Sequence, residues 1–206
     1  MTTIAAVPVL CSGDSHLRSL SRREDRAIFE SELWPGEGVP RIAAKSAYIQ
    51  LHRRPSLKSK VVRTLTVGIG APIEFDESRY RTLSPAVFTA VREGSFLVRD
   101  LGQGDYLAWN QYYTDDALSY KKLAYKVGDS FLYLQYTAGL SCLVSWQDNT
   151  WEIQLCPQLY PASVARANGF TIASEPQIEW WIRVIDAKRN PLGWVFVDGK
   201  NAERVR

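Results

Sequence analysis

The chain has 206 residues, 46% of them hydrophobic and 23% charged, which is enough to build a substantial core and excludes global disorder. The formal net charge of +3 is too small for a nucleic-acid-binding protein, which normally carries a concentrated basic stripe. Two local basic clusters, RREDR (22–26) and HRRPSLKSK (52–60), are interpreted as solvated surface.

Residues 1–44 are predicted to form a leader and a partly ordered N-terminal segment. The start is mildly apolar but lacks a basic region, so it is either the remnant of a trimmed signal peptide or a flexible leader. Lipidation at Cys11 is not expected, because Leu10 is larger than the residue that normally precedes such a cysteine. REDRAIFESEL (23–33) predicts one or two helical turns. The sequence contains no run of about 20 apolar residues, so no membrane span is predicted.

From Lys45 onwards the pattern indicates short β-strands at the spacing of an antiparallel barrel or sandwich. A hairpin is predicted where LSCLVSW and TWEIQLC flank the polar turn QDN, and VARANGF (164–170) predicts a single helical turn. A second hairpin closes the chain at 179–205. The other predicted strands lie within residues 46–55, 59–68, 71–78, 94–102, 105–113, 122–129 and 130–139.

Cys142 and Cys156 lie on the two arms of the first hairpin. A loop centred on Asn149 places them directly opposite each other, close enough for a disulfide. A two-residue turn at Asp148 and Asn149 would shift the register by one and leave two buried free thiols instead. We predict the disulfide, which is a bond typical of oxidising compartments.

Nothing in the sequence indicates catalysis. The two histidines, His16 and His52, have no local motif that would place them in a catalytic group, and no Cys/His pair has zinc-ligand spacing. GIGAP (68–72) lacks the remaining features of a dinucleotide loop, and Asp115 with Asp116 is interpreted as a solvated turn. We therefore predict no enzyme activity, no metal and no cofactor.

The closing hairpin is unusually aromatic. On its first strand Ile182 and Val184 share one face while Trp181 and Arg183 share the other, because side chains alternate along a strand. If the aliphatic face points inward, Trp181 and Arg183 lie on or near the surface. We predict a ligand groove at Trp181, Arg183 and Trp194, with Tyr48 behind them; the alternative is that the tryptophans are core residues.

Two parts of the chain resemble a bacterial SH3-like (SH3b) domain. AYIQLHRRPSLKSKVVRTLTVG is similar to the family's opening strand, Pro-Ser turn and Val-Val strand. EWWIRVIDAKRNPLGWVFVDGKNAERV is similar to its closing hairpin with Gly-Trp-Val. About 100 residues separate the two parts, where a simple member of the family has a short loop.

The resemblance implies a mainly β protein with SH3-like small barrels. Either one barrel carries a large β insertion, or two SH3-like units each show half of the pattern. The corresponding division is a first module at 45–157, containing the cysteine hairpin, and a C-terminal module or closing half at 158–206.

The resemblance also implies a stand-alone binding module of the bacterial envelope, periplasmic or secreted. Its partner would be a peptide, a peptidoglycan stem or another protein, with Arg183 pairing a ligand carboxylate. One alternative is a structural or inhibitory protein that docks through a broad surface at residues 20–40, using Trp34 as an anchor unless Trp34 folds back. Another is an enzyme with an unrecognised site, which would need a deep pocket gathering acids and His52.

Overall fold

The computed structural model describes residues 27–34, 38–101, 106–107 and 120–205. Within these ranges the protein is mainly β, as predicted, with sixteen strands, one short 3-10 turn at Pro157–Leu159 and one short helix, α1, at Ala162–Ala167. None of the helices in these ranges is long and apolar enough to cross a membrane.

The first sheet combines strands from both ends of the chain. Its order is β4-β3-β15-β14-β5-β1-β8, and all of its pairs are antiparallel except β1 with β8. Its strands are β1 (Phe29–Ser31), β3 (Tyr48–His52), β4 (Val61–Thr66), β5 (Phe75–Ser84), β8 (Tyr106–Leu107), β14 (Gln177–Ile185) and β15 (Pro191–Phe196).

The second sheet comes from the middle of the chain, and its order is β13-β6-β10-β11-β12-β7-β9. Its strands are β6 (Ala86–Ala90), β7 (Gly94–Asp100), β9 (Lys121–Tyr125), β10 (Ser130–Tyr136), β11 (Cys142–Trp146), β12 (Asn149–Ile153) and β13 (Phe170–Ile172). Two remaining strands, β2 (Arg41–Ala44) and β16 (Ala202–Val205), form a separate antiparallel pair. No closed barrel is formed by these described strands.

Each sheet buries its own apolar cluster. On β14 the alternation of QIEWWIRVI sends Trp180, Ile182 and Val184 into the first cluster. The second cluster is rich in stacked aromatic rings, among them Phe88 and Phe131. A smaller cluster lies between the sheets, and it contains Phe29, Leu33, Leu134 and Leu143.

Strands from both sides of residue 157 enter each of the two large sheets. Strand β13 pairs with β6 in the second sheet, while β14 pairs with β5 and β15 with β3 in the first. The two segments that resemble an SH3b domain therefore meet in one sheet, and residues 86–172 supply strands of the other.

The Cys142–Cys156 disulfide is confirmed, with a Cα–Cα distance of 5.7 Å and both cysteines buried. The strand register from which the disulfide was predicted, with a loop centred on Asn149, is wrong. The turn falls at Gln147 and Asp148, both with positive φ, so Cys142 faces Ile153. A bend at Leu155, with φ of 55°, carries Cys156 back towards its partner.

Several elements differ from the sequence-based expectation, and β2 and β13 are among the strands that were not predicted. Residues 29–31, within the segment predicted to be helical, form β1, which pairs along β5. Strand β5 continues to Ser84 and β6 follows at once, although neither the end of β5 nor β6 was predicted. The end of β5 was not predicted because RYRTLS (79–84) carries two arginines, which are usually exposed. Arg81 is nevertheless buried, because it forms ion pairs.

Glycine is required at position 193, in the Gly-Trp-Val of the closing hairpin, by its backbone conformation and by the close approach of neighbouring atoms. Its φ is +142°, and a Cβ at this position would lie 3.0 Å from the His52 carbonyl oxygen and 3.0 Å from Leu51 Cβ. Glycine therefore lets β15 approach β3, which places Trp194 opposite His52.

Gly193→Ala is expected to lower the free energy of unfolding by roughly 3 kcal/mol, because the added methyl group meets backbone that cannot move away. Urea denaturation measures this change. Gly68→Ala is the control, since no heavy atom lies within 4 Å of its added Cβ, and its effect should stay within about 0.5 kcal/mol. Equal losses in the two variants would contradict the close approach at Gly193.

Candidate functional site

Trp181, which was predicted to line the ligand groove, is fully buried, with an exposed fraction of 0%. Its ring stacks on Phe196 at a centroid distance of 5.2 Å and meets the His52 ring edge-on at 5.3 Å. Its indole N–H donates a hydrogen bond to Glu179 Oε2 at 2.9 Å. The expectation that Trp181 lies on or near the surface is wrong, because neighbouring side chains cover the face of the sheet opposite the aliphatic cluster.

Arg183 does reach solvent, but acids of its own sheet occupy its guanidinium group. Nε and Nη2 donate to the two carboxylate oxygens of Asp76 at 2.8 and 2.9 Å, and Nη1 lies 2.7 Å from Glu77 Oε2. The hydrogen bond from Arg183 holds the pKa of Asp76 below its usual value, and the same bond raises the pKa of Arg183. A ligand carboxylate would have to displace these acids.

Trp194 is buried directly opposite His52 and Arg183, on the same face of the sheet as Trp181. Tyr48 is 67% exposed on β3, where it faces Thr66 of the edge strand β4. The structure thus gathers Trp181, Arg183 and Trp194 on one face, but only Tyr48 presents a large apolar surface to solvent.

A chain of buried polar contacts runs beneath the loop that joins β3 to β4. His52 Nδ1 lies 2.9 Å from the Ser59 carbonyl oxygen, and it must carry the proton because a carbonyl only accepts. The His52 ring packs on Trp181, whose indole N–H reaches Glu179. Glu179 Oε2 in turn accepts a hydrogen bond from Arg81 Nη1 at 2.8 Å.

Arg81 is the centre of this network, although it is only 6% exposed. Its Nε donates to Glu30 Oε1 at 2.9 Å, and Nη1 also donates to the Pro55 carbonyl oxygen at 2.7 Å. Two carboxylates and a loop carbonyl therefore surround one buried cation, as a buried charge requires. Arg81 joins β1, β5, β14 and the β3–β4 loop.

The β3–β4 loop, residues 53–60, is shaped by its own serines. Ser59 Oγ accepts a hydrogen bond from the Arg54 amide at 2.9 Å, and Ser56 Oγ accepts one from the Lys58 amide at 3.3 Å. The Arg53 amide donates to the Lys60 carbonyl oxygen at 2.9 Å. These contacts explain the Pro-Ser-x-x-Ser spacing, because each serine closes a local turn.

An open pocket of about 590 Å³ lies against this loop, and we call it the loop pocket. Arg81 with Glu30 belongs to the buried network, whereas Arg53 and Arg54 are exposed and make no ion pair with any residue that the structure describes. Four cationic side chains and one acid thus surround the cavity. The lining residues are Glu30, Arg53, Arg54, Pro55, Ser56, Lys58, Ser59 and Arg81.

The chemistry that the loop pocket offers is anion binding. Guanidinium groups present a planar fork of donors that matches a carboxylate, and the serines add hydroxyl groups. His52 is 8% exposed, faces the loop backbone and is not part of the lining. Across the described ranges, no group of three or more histidine, cysteine or acidic side chains is arranged to hold a metal ion.

No protein-family model, curated protein or solved structure matches the chain. Sequence reasoning missed the loop pocket, although its signal was present in HRRPSLKSK (52–60), which was interpreted as solvated surface. The buried Arg81 and its partners Glu30 and Glu179 lie far apart in sequence, so no local pattern connects them.

Arg81→Met is expected to lower the free energy of unfolding by about 3 kcal/mol, because it leaves Glu179 buried without its cation. Adding Glu179→Leu should restore part of this loss, since the orphaned charge is then removed as well. A double-mutant cycle in urea measures the coupling. Strictly additive losses would show that Arg81 and Glu179 do not act as a pair.

The Asp76–Arg183 pair predicts a pH-dependent contribution to stability. Because the folded pKa of Asp76 is lowered from 3.8, its contribution is fully present above pH 3.8 and is lost as the pH falls through the lowered value. Asp76→Asn should therefore cost about 1 kcal/mol at pH 7, and its difference in free energy of unfolding from the wild type should shrink as the pH falls below 3.8, as urea denaturation at each pH would show.

The control for Asp76 is Glu203→Gln, which removes the exposed partner of Lys45. Side chains that are 41% and 42% exposed are screened by water, so this change should have almost no effect on stability. A pH-independent loss in Asp76→Asn would mean that the carboxylate charge is not what Arg183 stabilises.

Proposed function

We propose that this protein is a non-catalytic binding module that captures a carboxylate-bearing peptide in the loop pocket. The observation that carries the proposal is the pair of exposed arginines, Arg53 and Arg54, at the rim of an open cavity, on a loop held in shape from below by Arg81. A preformed cationic site loses little conformational entropy on binding, which favours recognition of a small anionic group.

Arg53 and Arg54 are the residues proposed to meet the ligand. Both are exposed at the rim of the loop pocket, and Ser59 fixes the backbone of Arg54. Arg81 shapes the floor, because its own donors are already shared between Glu30, Glu179 and Pro55. Charge-assisted bonds from a guanidinium group to a carboxylate are among the stronger hydrogen bonds in proteins.

A peptide carboxylate fits these features better than a nucleic acid. The exposed cations Arg53, Arg54 and Lys58 lie in one compact loop at the end of a hairpin, whereas a phosphate backbone needs contacts distributed along a groove. The chain as a whole carries a formal net charge of only +3, so it provides no broad positive field.

The resemblance to SH3b domains supports the same proposal. Residues 47–68 and 179–205, which carry the resemblance, supply β3, β4, β14 and β15 of one sheet. We propose that they form a split SH3-like unit into which the second sheet is inserted. Domains of this family bind cell-wall peptides or other proteins, so a peptidoglycan stem with a free carboxylate is the proposed ligand.

The proposed location is the bacterial envelope, either periplasmic or secreted. The Cys142–Cys156 disulfide supports it, because such bonds persist mainly in oxidising compartments. The alternative of a protein that docks through residues 20–40 gains less support. Trp34, its expected anchor, is half-buried against the first apolar cluster, and residues 20–26 lie outside the described ranges.

The test is isothermal titration with a disaccharide-tripeptide fragment of peptidoglycan that ends in a free carboxylate. Arg53→Glu/Arg54→Glu is expected to weaken binding roughly 100-fold, because two charge-assisted contacts become repulsive. The same fragment with its carboxylates amidated should bind the wild type equally poorly, since it offers no anion.

The matched control is Lys188→Glu/Arg189→Glu, which makes the same charge change in the exposed turn between β14 and β15. This variant should bind like the wild type. An equal loss in both double variants would indicate a nonspecific effect of net charge. Tight binding of a short single-stranded oligonucleotide, together with no carboxylate dependence, would contradict the proposed function.

A further inference from the structure

Strand β4 is an exposed edge of the first sheet. Among the strands that the structure describes, it pairs with β3 alone, and its first four residues are exposed. It carries a single charged residue, Arg63, among Val61, Val62, Thr64, Leu65 and Thr66. With only one charged side chain in six residues, this edge is a template for another strand, and Arg63 favours an acidic partner over a second copy of the same basic edge.

The direction of the free main-chain groups follows from the pairing of β4 with β3. The Val67 amide donates to the Ala47 carbonyl oxygen at 3.1 Å, and Leu65 faces Ile49 two residues further along. Hydrogen-bonded and non-hydrogen-bonded positions alternate in an antiparallel pair. The amide and carbonyl groups of Thr64 and Thr66 therefore point away from β3, towards the open edge.

The described edges of the second sheet are less available. Strand β9 begins with two lysines, Lys121 and Lys122, which oppose the approach of another strand. Strand β13, at the opposite edge, has only three residues, Phe170–Ile172, and contacts α1. Strand β4 has six residues with one charge, so its edge is longer than that of β13 and carries fewer charges than that of β9.

The loop pocket lies at the beginning of β4. Ser59 and Lys58 line it, and β4 begins two residues later at Val61. Val61 and Val62 are 38% and 46% exposed between the pocket and Thr64, so they provide apolar contacts for a bound chain. Tyr48, on the neighbouring strand, stands beside Thr66 and is available to a side chain bound there.

We propose that an extended acidic peptide adds to β4 as an antiparallel strand and places its C-terminal acidic residues in the loop pocket. Because β4 runs away from the pocket, an antiparallel partner runs towards it and arrives with its C-terminal end. The cations at the pocket and Arg63 on the edge favour an acidic occupant. This inference rests on the proposed function for the anion-binding role of the loop pocket, and it names an extended acidic peptide, longer than the peptidoglycan stem, as the ligand that also makes main-chain contacts with β4.

The test uses two synthetic peptides of one composition, both acetylated and amidated: Thr-Val-Thr-Val-Thr-Glu-Glu and Glu-Glu-Thr-Val-Thr-Val-Thr. The first should bind the wild-type protein at least about tenfold more tightly in calorimetry, because only it aligns with β4 and the pocket together. Equal affinity for the two peptides would overturn the proposed orientation.

N-methylation of the peptide tests the main-chain contacts without changing the protein. Methyl groups on alternate amides that face β4 should weaken binding about tenfold or more, whereas methyl groups on the amides between them should change it little. Loss that is independent of position would overturn strand addition.

Thr64→Pro tests the edge from the side of the protein. Its amide points outward, so proline removes no bond to β3 but blocks the edge, and binding of the acid-last peptide should fall at least about tenfold. Thr64→Val keeps the amide and should bind like the wild type. Circular dichroism confirms that both variants are folded.

The outcomes separate this inference from the function on which it rests. If Thr64→Pro binds the peptide like the wild type while Arg53→Glu/Arg54→Glu does not, strand addition fails and the anion-binding function stands. If neither peptide binds but the peptidoglycan fragment binds through its carboxylate, strand addition fails in the same way. If carboxylate dependence is absent as well, both fail.

Discussion

The buried guanidinium group of Arg81 is the contact on which the candidate site depends. It donates to Glu30, to Glu179 and to the carbonyl oxygen of Pro55, so it connects three neighbouring strands, β14, β5 and β1, and a loop. A buried cation is stable only when its donors are paired, and these partners come from distant parts of the chain. Formation of the first sheet and formation of the loop are therefore linked.

That linkage explains how an exposed loop can keep a defined shape. Arg81 holds Pro55 from below, His52 holds the carbonyl of Ser59, and Ser59 closes the turn onto Arg54. The exposed arginines therefore project from a backbone that is fixed at several points. The proposed binding would then cost less entropy than it would on a free loop.

Sequence patterns predicted the features that follow from the local alternation of apolar and polar residues. Most strands were predicted, and the Cys142–Cys156 disulfide was predicted although its register was not, because a bend at Leu155 replaces the expected direct opposition. Trp181 was expected at the surface because one face of a strand is usually solvated. Here His52 and Phe196 cover that second face, and such long-range burial leaves no periodic signal.

The loop pocket was missed for a related reason. Its basic residues were visible in the sequence, but a cluster of cations is normally solvated, and only the fold reveals that Arg81 and Glu30 lie beneath it. Segments 47–68 and 179–205 meet in one sheet, which no local pattern within either segment requires. The shape of the loop pocket depends on side-chain contacts that no spacing rule contains.

The most direct measurement is a titration of the isotope-labelled protein with the peptidoglycan fragment, followed by amide nuclear magnetic resonance. Binding at the loop pocket predicts shifts confined to residues 53–60, the beginning of β4 and the indole N–H of Trp181, which is connected to the loop through His52. Shifts confined to the second sheet, with none in residues 53–60, would contradict the account.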